Sequence, residues 1–280
     1  MADGQVSVGG ALGYAWTLLS QNWRAIWGAL ALHALAWTVL TAGLLSGNLD
    51  LVLAAVVAMR FTKYPVYGSI SRAAEGSAGE AASPGHLGIE WRAAESRMVA
   101  ADLLFWVFIL IMAMLVSIAL SAPLVGVIMN SGGNIAAIDS ADALLRQLGP
   151  YGRRIMQFES LLFWMIMLSI GFRLSLSLIA SARSGRVAVL STWRLTRGQF
   201  WRLVGATVLV SIPVLLAVIV AAGGAAEASG AVTPGEIFIY AILTGVLAGA
   251  ATTPMLAGVQ LYFYRRLGPA PSRSDDQAKA

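Results

Sequence analysis

The sequence predicts an all-α, polytopic membrane fold of six helices, and three observations carry that reading. Hydrophobic residues make up 58% of the 280 and charged residues 12%, whereas water-soluble domains hold roughly half and a quarter. Six apolar stretches, at 25–47, 49–70, 99–121, 158–180, 203–222 and 237–264, approach or exceed the about 20 residues that cross a bilayer core as a helix. The segments between them are too short for an independent core, which takes about 50 residues or more. Backbone exposed to lipid must bond within its own segment, so helices are the form these stretches take. The expected organisation is an interfacial helix over 1–24, a six-helix membrane domain over 25–267 and a polar, disordered cytoplasmic tail over 268–280.

The start of the chain lacks the basic region of a secretory signal, so the first span is read as retained. Before it, Val8, Ala11, Leu12, Ala15 and Leu19 share one helical face, and Trp23-Arg24 follows. Indole favours the headgroup layer and guanidinium snorkels to phosphate, so this pair reads as an interfacial anchor. The same arrangement recurs before the fifth span, where Trp193, Arg194, Arg197, Trp201 and Arg202 cluster. Each anchor leads to a span, a short outer turn and a returning helix that holds a proline, Pro65 or Pro254. The pattern reads either as a parallel duplication of an interfacial-helix plus hairpin unit or as convergent anchoring chemistry.

Between the third and fourth spans, 122–157 reads as an outer loop with a short helix from Asp139 to Leu148, stopped by Gly149-Pro150. The glycine-rich 221–226 reads as an outer turn. Thr233-Pro-Gly-Glu236 reads as a capping box with proline at the first helical position. Ala241, Gly245, Gly249, Thr253 and Ala257 recur every four residues on the sixth span and predict a close-packing face.

Basic residues concentrate in the connections 71–97 and 183–202 and after the last span, which predicts cytoplasmic termini. Arg146, Arg153 and Arg154 in the outer loop run against that pattern but are outnumbered.

The run Phe172-Arg-Leu-Ser-Leu-Ser-Leu178, then Arg183-Ser-Gly-Arg186 and Thr192-Trp-Arg-Leu-Thr-Arg-Gly-Gln-Phe-Trp-Arg202, resembles the bacterial glycerophosphoryl diester phosphodiesterase membrane-domain family. Val6-Ser-Val-Gly-Gly-Ala-Leu12 and Trp23-Arg24 are similar too. The resemblance covers most of the chain and implies a polytopic bacterial membrane protein. Some members carry a separate hydrolase domain; no counterpart is expected in this chain, so hydrolase activity is not carried over.

Arg60, Lys63, Asp102 and Arg173 are predicted to lie inside the spans at similar depth. A base at a helix centre costs about 2.5–3.5 kcal/mol on insertion scales, so such residues snorkel, pair or line a polar cavity. Two readings follow for the four: a structural ion-pair group, or a pocket for an anionic lipid headgroup with bidentate arginine contacts. Glu159 reads as an interfacial charge opening the fourth span, and His33 as a hydrogen-bonded core residue.

The absence of cysteine excludes disulfides and thiolate chemistry, and the two histidines, His33 and His86, show no metal-ligand spacing. No nucleophile elbow, phosphate-binding loop or dinucleotide fingerprint is present. No cofactor, metal or nucleic acid is expected. The leading expectation is a non-enzymatic bacterial inner-membrane protein that interacts with membrane lipids, anionic phospholipid among them, or with a membrane-protein partner. A permease subunit using Arg60, Arg173 and Asp102, and an enzyme acting on phospholipid headgroups, are the alternatives.

Overall fold

The computed structural model describes residues 6–75, 86–130, 141–227 and 233–268. These residues are helical throughout apart from short connections. Among the described residues nine α-helices follow in order: α1 Val8–Ser46, α2 Leu49–Ala73, α3 Ala93–Asn130, α4 Ala141–Leu174, α5 Ser177–Arg183, α6 Ser191–Leu195, α7 Phe200–Glu227, α8 Pro234–Gly245 and α9 Thr253–Leu267. A π-helical stretch, Val246–Thr252, joins α8 to α9. Five helical stretches are long and apolar enough to cross a membrane, in Val8–Ser46, Ala93–Asn130, Leu148–Arg183, Phe200–Val220 and Gly235–Leu267. The second expected span does form as α2, but Arg60 and Lys63 interrupt its apolar run and it is not among the five.

The chain divides into two compact units. One comprises Met1–Asp102 with Ser175–Ala280, the other Leu103–Leu174.

In the first unit α1 is one helix of 39 residues, with no break at Trp23-Arg24. Ser7 caps its start by accepting the Gly10 N–H at 3.0 Å, and Gly47, at φ 67°, ends it in the left-handed conformation that glycine adopts without cost. Asn48 at once caps α2, so a turn of two residues folds α2 back onto α1. Along the last span a β-carbon added to Gly245 would lie 1.9 Å from the Thr38 hydroxyl oxygen and one on Gly249 2.4 Å from the Ala34 Cα, and next to the stripe one on Gly258 would lie 2.8 Å from the Ala15 Cβ. The small-residue stripe is therefore where α8 and α9 meet α1 within one molecule.

Those contacts also bend α1. His33 Nε2 lies 3.2 Å from the Thr253 hydroxyl, and Ala15 touches Gly258. Eighteen residues of straight helix span about 27 Å, yet Thr253 and Gly258 are separated by about 7.5 Å along their own axis. Side-chain reach does not close that gap, so α1 curves across α9.

The π stretch has a local cause. Pro254 has no amide to give the preceding turn and its ring crowds the carbonyl four residues back. The chain widens there, and the Thr253 hydroxyl donates to the Ala248 carbonyl at 2.8 Å. The predicted capping box also forms: the Glu236 amide donates to the Thr233 hydroxyl at 3.3 Å, and the Thr233 amide to Glu236 Oε2 at 2.8 Å.

In the second unit both helices depart from the expected loop. α3 continues through Pro123 to Asn130 instead of ending near Ser121. Hydropathy alone does not mark this, because a helix can lose one amide bond at proline and still satisfy the rest of its backbone. In α4 the break falls where it was predicted: Gly149 adopts φ 61° and Pro150 begins the next turn. Leu103, Leu110, Met114, Ile118, Leu161 and Trp164 are all exposed, as suits side chains that have lipid for solvent. α7 likewise runs through 221–226, the expected turn, to Glu227. The Asn130–Asn134 stretch beyond its first residue, the start of the short helix at Asp139 and the tail from 269 on lie outside the described residues.

Candidate functional site: buried charges and a basic end

Arg60, Lys63 and Tyr64 occupy positions i, i+3 and i+4 of α2 and so share one face. That face meets Asp102 on α3, in the same unit. Lys63 Nζ donates to Asp102 Oδ2 at 2.8 Å, the Tyr64 hydroxyl donates to the same oxygen at 2.8 Å, and Arg60 Nη1 lies 3.6 Å away. Asp102 is buried at 8% exposure, while the Arg60 side chain keeps 36%. Three of the four predicted residues are thereby brought together; Arg173 belongs to the other unit. Tyr64 was not foreseen as a partner, although its place one turn beyond Arg60 was a readable signal.

A second buried pair escaped the sequence reading. Arg72 at the end of α2 donates to Glu95 Oε1, and both side chains are buried. Glu95 is the third residue of α3, and its other oxygen accepts the Arg92 N–H at 2.9 Å, which is half of a capping box. Gly68 leaves room for this carboxylate: a β-carbon there would fall 1.8 Å from Glu95 Oε1. Arg72 also reaches the Glu90 carbonyl at 3.3 Å. The Glu90 carboxylate, exposed to solvent, is held below its usual range by the hydrogen bond from Arg92.

His33 is 2% exposed and joins three helices, with Nδ1 2.8 Å from the Thr62 hydroxyl and Nε2 3.2 Å from that of Thr253. Thr253 thus serves both the packing stripe and this polar bridge.

Contacts within the first unit show which residues share an end. Arg202 donates to the Val6 carbonyl at 2.8 Å, Arg97 to that of Ser181 at 3.3 Å and Arg265 to that of Ala74, and Arg183 pairs with Glu75 at 3.0 Å. The start of α1, the end of α2, the start of α3, α5, the start of α7 and the end of α9 therefore lie together. Among the described residues the acids there, Glu75, Glu90 and Glu95, are each paired with an arginine. Arg186, Arg194 and Arg197 are exposed and have no ion pair among the described residues. Trp193 and, at 79%, Trp201 are exposed in the same stretch of chain, and Trp16 and Trp23 are exposed along α1. Arg24 lies 5.6 Å from the Trp23 ring centre, and Arg266 5.7 Å from that of Tyr262. At the opposite end of the unit, Asp50 and Glu236 open their helices and no lysine or arginine stands among the described residues.

In the second unit, Glu159 was expected at the mouth of a span. The helix starts earlier, at Pro150, so Glu159 lies more than two turns inside it. It is 8% exposed, and neither carboxylate oxygen has a hydrogen-bond partner.

Among the described residues no three acidic or histidine side chains are grouped to hold a metal ion. No protein-family model, curated protein or solved structure matches the chain.

Proposed function

We propose that this protein is a non-enzymatic membrane scaffold that engages anionic phospholipid headgroups through the basic end of its first unit. The observation that carries the reading is the charge inventory of that end among the described residues: Glu75, Glu90 and Glu95 are each held by an arginine, while Arg186, Arg194 and Arg197 stay exposed, with Trp193 next to Arg194 in the chain. A surface of unanswered guanidinium groups among indole rings is suited to phosphate at the membrane interface. Loops rich in arginine face the cytoplasm in inner membranes, so this reading puts the basic end and both termini there, with α2 completing six crossings. The segment 183–202, whose motifs resemble the glycerophosphoryl diester phosphodiesterase membrane-domain family, supplies the three exposed arginines. In a permease, Asp102 would need to be available to a passing ion, yet Lys63, Tyr64 and Arg60 converge on it. That convergence favours a structural role for Asp102.

The test is lipid enrichment. Purified protein carrying Arg186→Gln, Arg194→Gln and Arg197→Gln together, reconstituted in mixed phosphatidylglycerol and phosphatidylcholine, is expected to lose most of the anionic-lipid enrichment seen with the unaltered chain by native mass spectrometry. Equal enrichment in the two proteins would overturn the proposal.

A further inference from the structure

Glu159 does not belong to the basic end, and nothing so far accounts for it. It forms part of the wall of a groove of about 250 Å³ between α3 and α4, within the second unit. Ser117, Ser121 and Ser160 supply hydroxyl groups to that wall, Phe163 and Trp164 supply rings, and Leu124 adds apolar surface. A neighbouring groove of about 420 Å³ shares Glu159 and includes Arg154 and Pro123. Among the described residues, no titratable side chain from α3 lines either groove, and on α4 only Glu159 and Arg154 do.

This is an unusual place for an acid. A carboxylate closed off from water is costly without a partner, and ionisable groups inside membrane helices mark ligand or ion sites more often than not. Asp102 and Glu95 each gather cationic partners from the chain itself, whereas Glu159 gathers none among the described residues. The partner is then to come from outside.

We propose that the α3–α4 groove binds an amphiphilic ammonium ion, with Glu159 as its counter-ion. The chemistry of the wall selects this class. One carboxylate calls for one positive charge, the serine hydroxyls accept N–H bonds, and the faces of Phe163 and Trp164 attract a cation. The volume is far larger than a bare metal ion needs, and the apolar part of the wall suits an alkyl tail. Three rotatable bonds let the Glu159 carboxylate turn into the groove while the helix stays in place. The same ammonium chemistry arises in a free alkylamine and in the headgroup of phosphatidylethanolamine.

Binding of octylamine to the full chain in phosphatidylcholine nanodiscs separates the outcomes. Saturable binding is expected, weakened by about tenfold to a hundredfold in Glu159→Gln, the loss that follows removal of a charged hydrogen-bond partner. Glu159→Asp retains the charge and is expected to bind more tightly than Glu159→Gln, which guards against a folding artefact. Labelling of Glu159 by a hydrophobic carbodiimide, with octylamine giving protection, reports the same site without any variant. Repeating the titration with phosphatidylethanolamine in the nanodisc distinguishes the sources: competition identifies the lipid headgroup, and unchanged binding identifies the free amine. Absence of saturable binding in both lipids, or equal affinity in Glu159→Gln and the unaltered chain, would overturn the proposal.

Discussion

The two units treat a buried carboxylate in opposite ways. In the first, Asp102 receives Lys63, Tyr64 and Arg60, and Glu95 receives Arg72 and the Arg92 amide. In the second, Glu159 has the same small surface exposure as Asp102, 8% for each, and its carboxylate has no hydrogen-bond partner among the described residues. Burial is therefore not what separates structural from available charge in this molecule. Partnership is, and it follows from helix geometry: α2 presents three donors on one face toward α3, whereas the α3 face opposite Glu159 offers only serine and aliphatic side chains.

The largest expected effect comes from breaking the tightest pair. Glu95→Ala leaves the Arg72 guanidinium buried without its carboxylate and removes a helix cap, and should destabilise the protein by about 3–5 kcal/mol in denaturant unfolding. A loss below about 1 kcal/mol would show that water already reaches Arg72. Asp102→Asn strips the counter-charge from Lys63 and Arg60 together. A loss of about 2–3 kcal/mol is expected, near the cost of one uncompensated base in a membrane helix.

A smaller effect probes the space around the first pair without touching charge. Gly68→Ala should improve helix propensity by about 1 kcal/mol, but its methyl group would strike the Glu95 carboxylate. Overpacking of this kind costs about 1–3 kcal/mol, so a net loss is expected, and combining it with Glu95→Ala should remove most of the penalty. Additive losses in that double variant would separate Gly68 from the ion pair. The smallest effect belongs to Glu159→Gln, which breaks no bond made by the chain and should change stability by no more than about 0.5 kcal/mol, or raise it.

Much of this contrast could be read in the sequence, and the unread part has physical reasons. Regular helix rise put Arg60, Lys63, Asp102 and Arg173 at one expected depth, and contacts join the first three of them. Glu95 was hidden because its partner lies 23 residues earlier, across a connection whose path no local pattern fixes. The helix that carries Glu159 starts earlier than the apolar run, which begins at Phe158, because α4 resumes at Pro150 directly after its break at Gly149. The end of the third span near Ser121 was set too early in the same sense, since a helix in an apolar setting keeps its remaining hydrogen bonds through a proline such as Pro123. Gly149-Pro150 and the Thr233–Glu236 cap were legible because each rests on chemistry confined to four residues or fewer.

Thermal unfolding of Asp102→Asn and Glu159→Gln, followed side by side through tryptophan fluorescence in identical nanodiscs without added amine, tests the contrast most directly. The account predicts a clearly lowered midpoint for Asp102→Asn and an unchanged or higher midpoint for Glu159→Gln. A fall in Glu159→Gln as large as that in Asp102→Asn would contradict it, because Glu159 would then hold a partner within the fold.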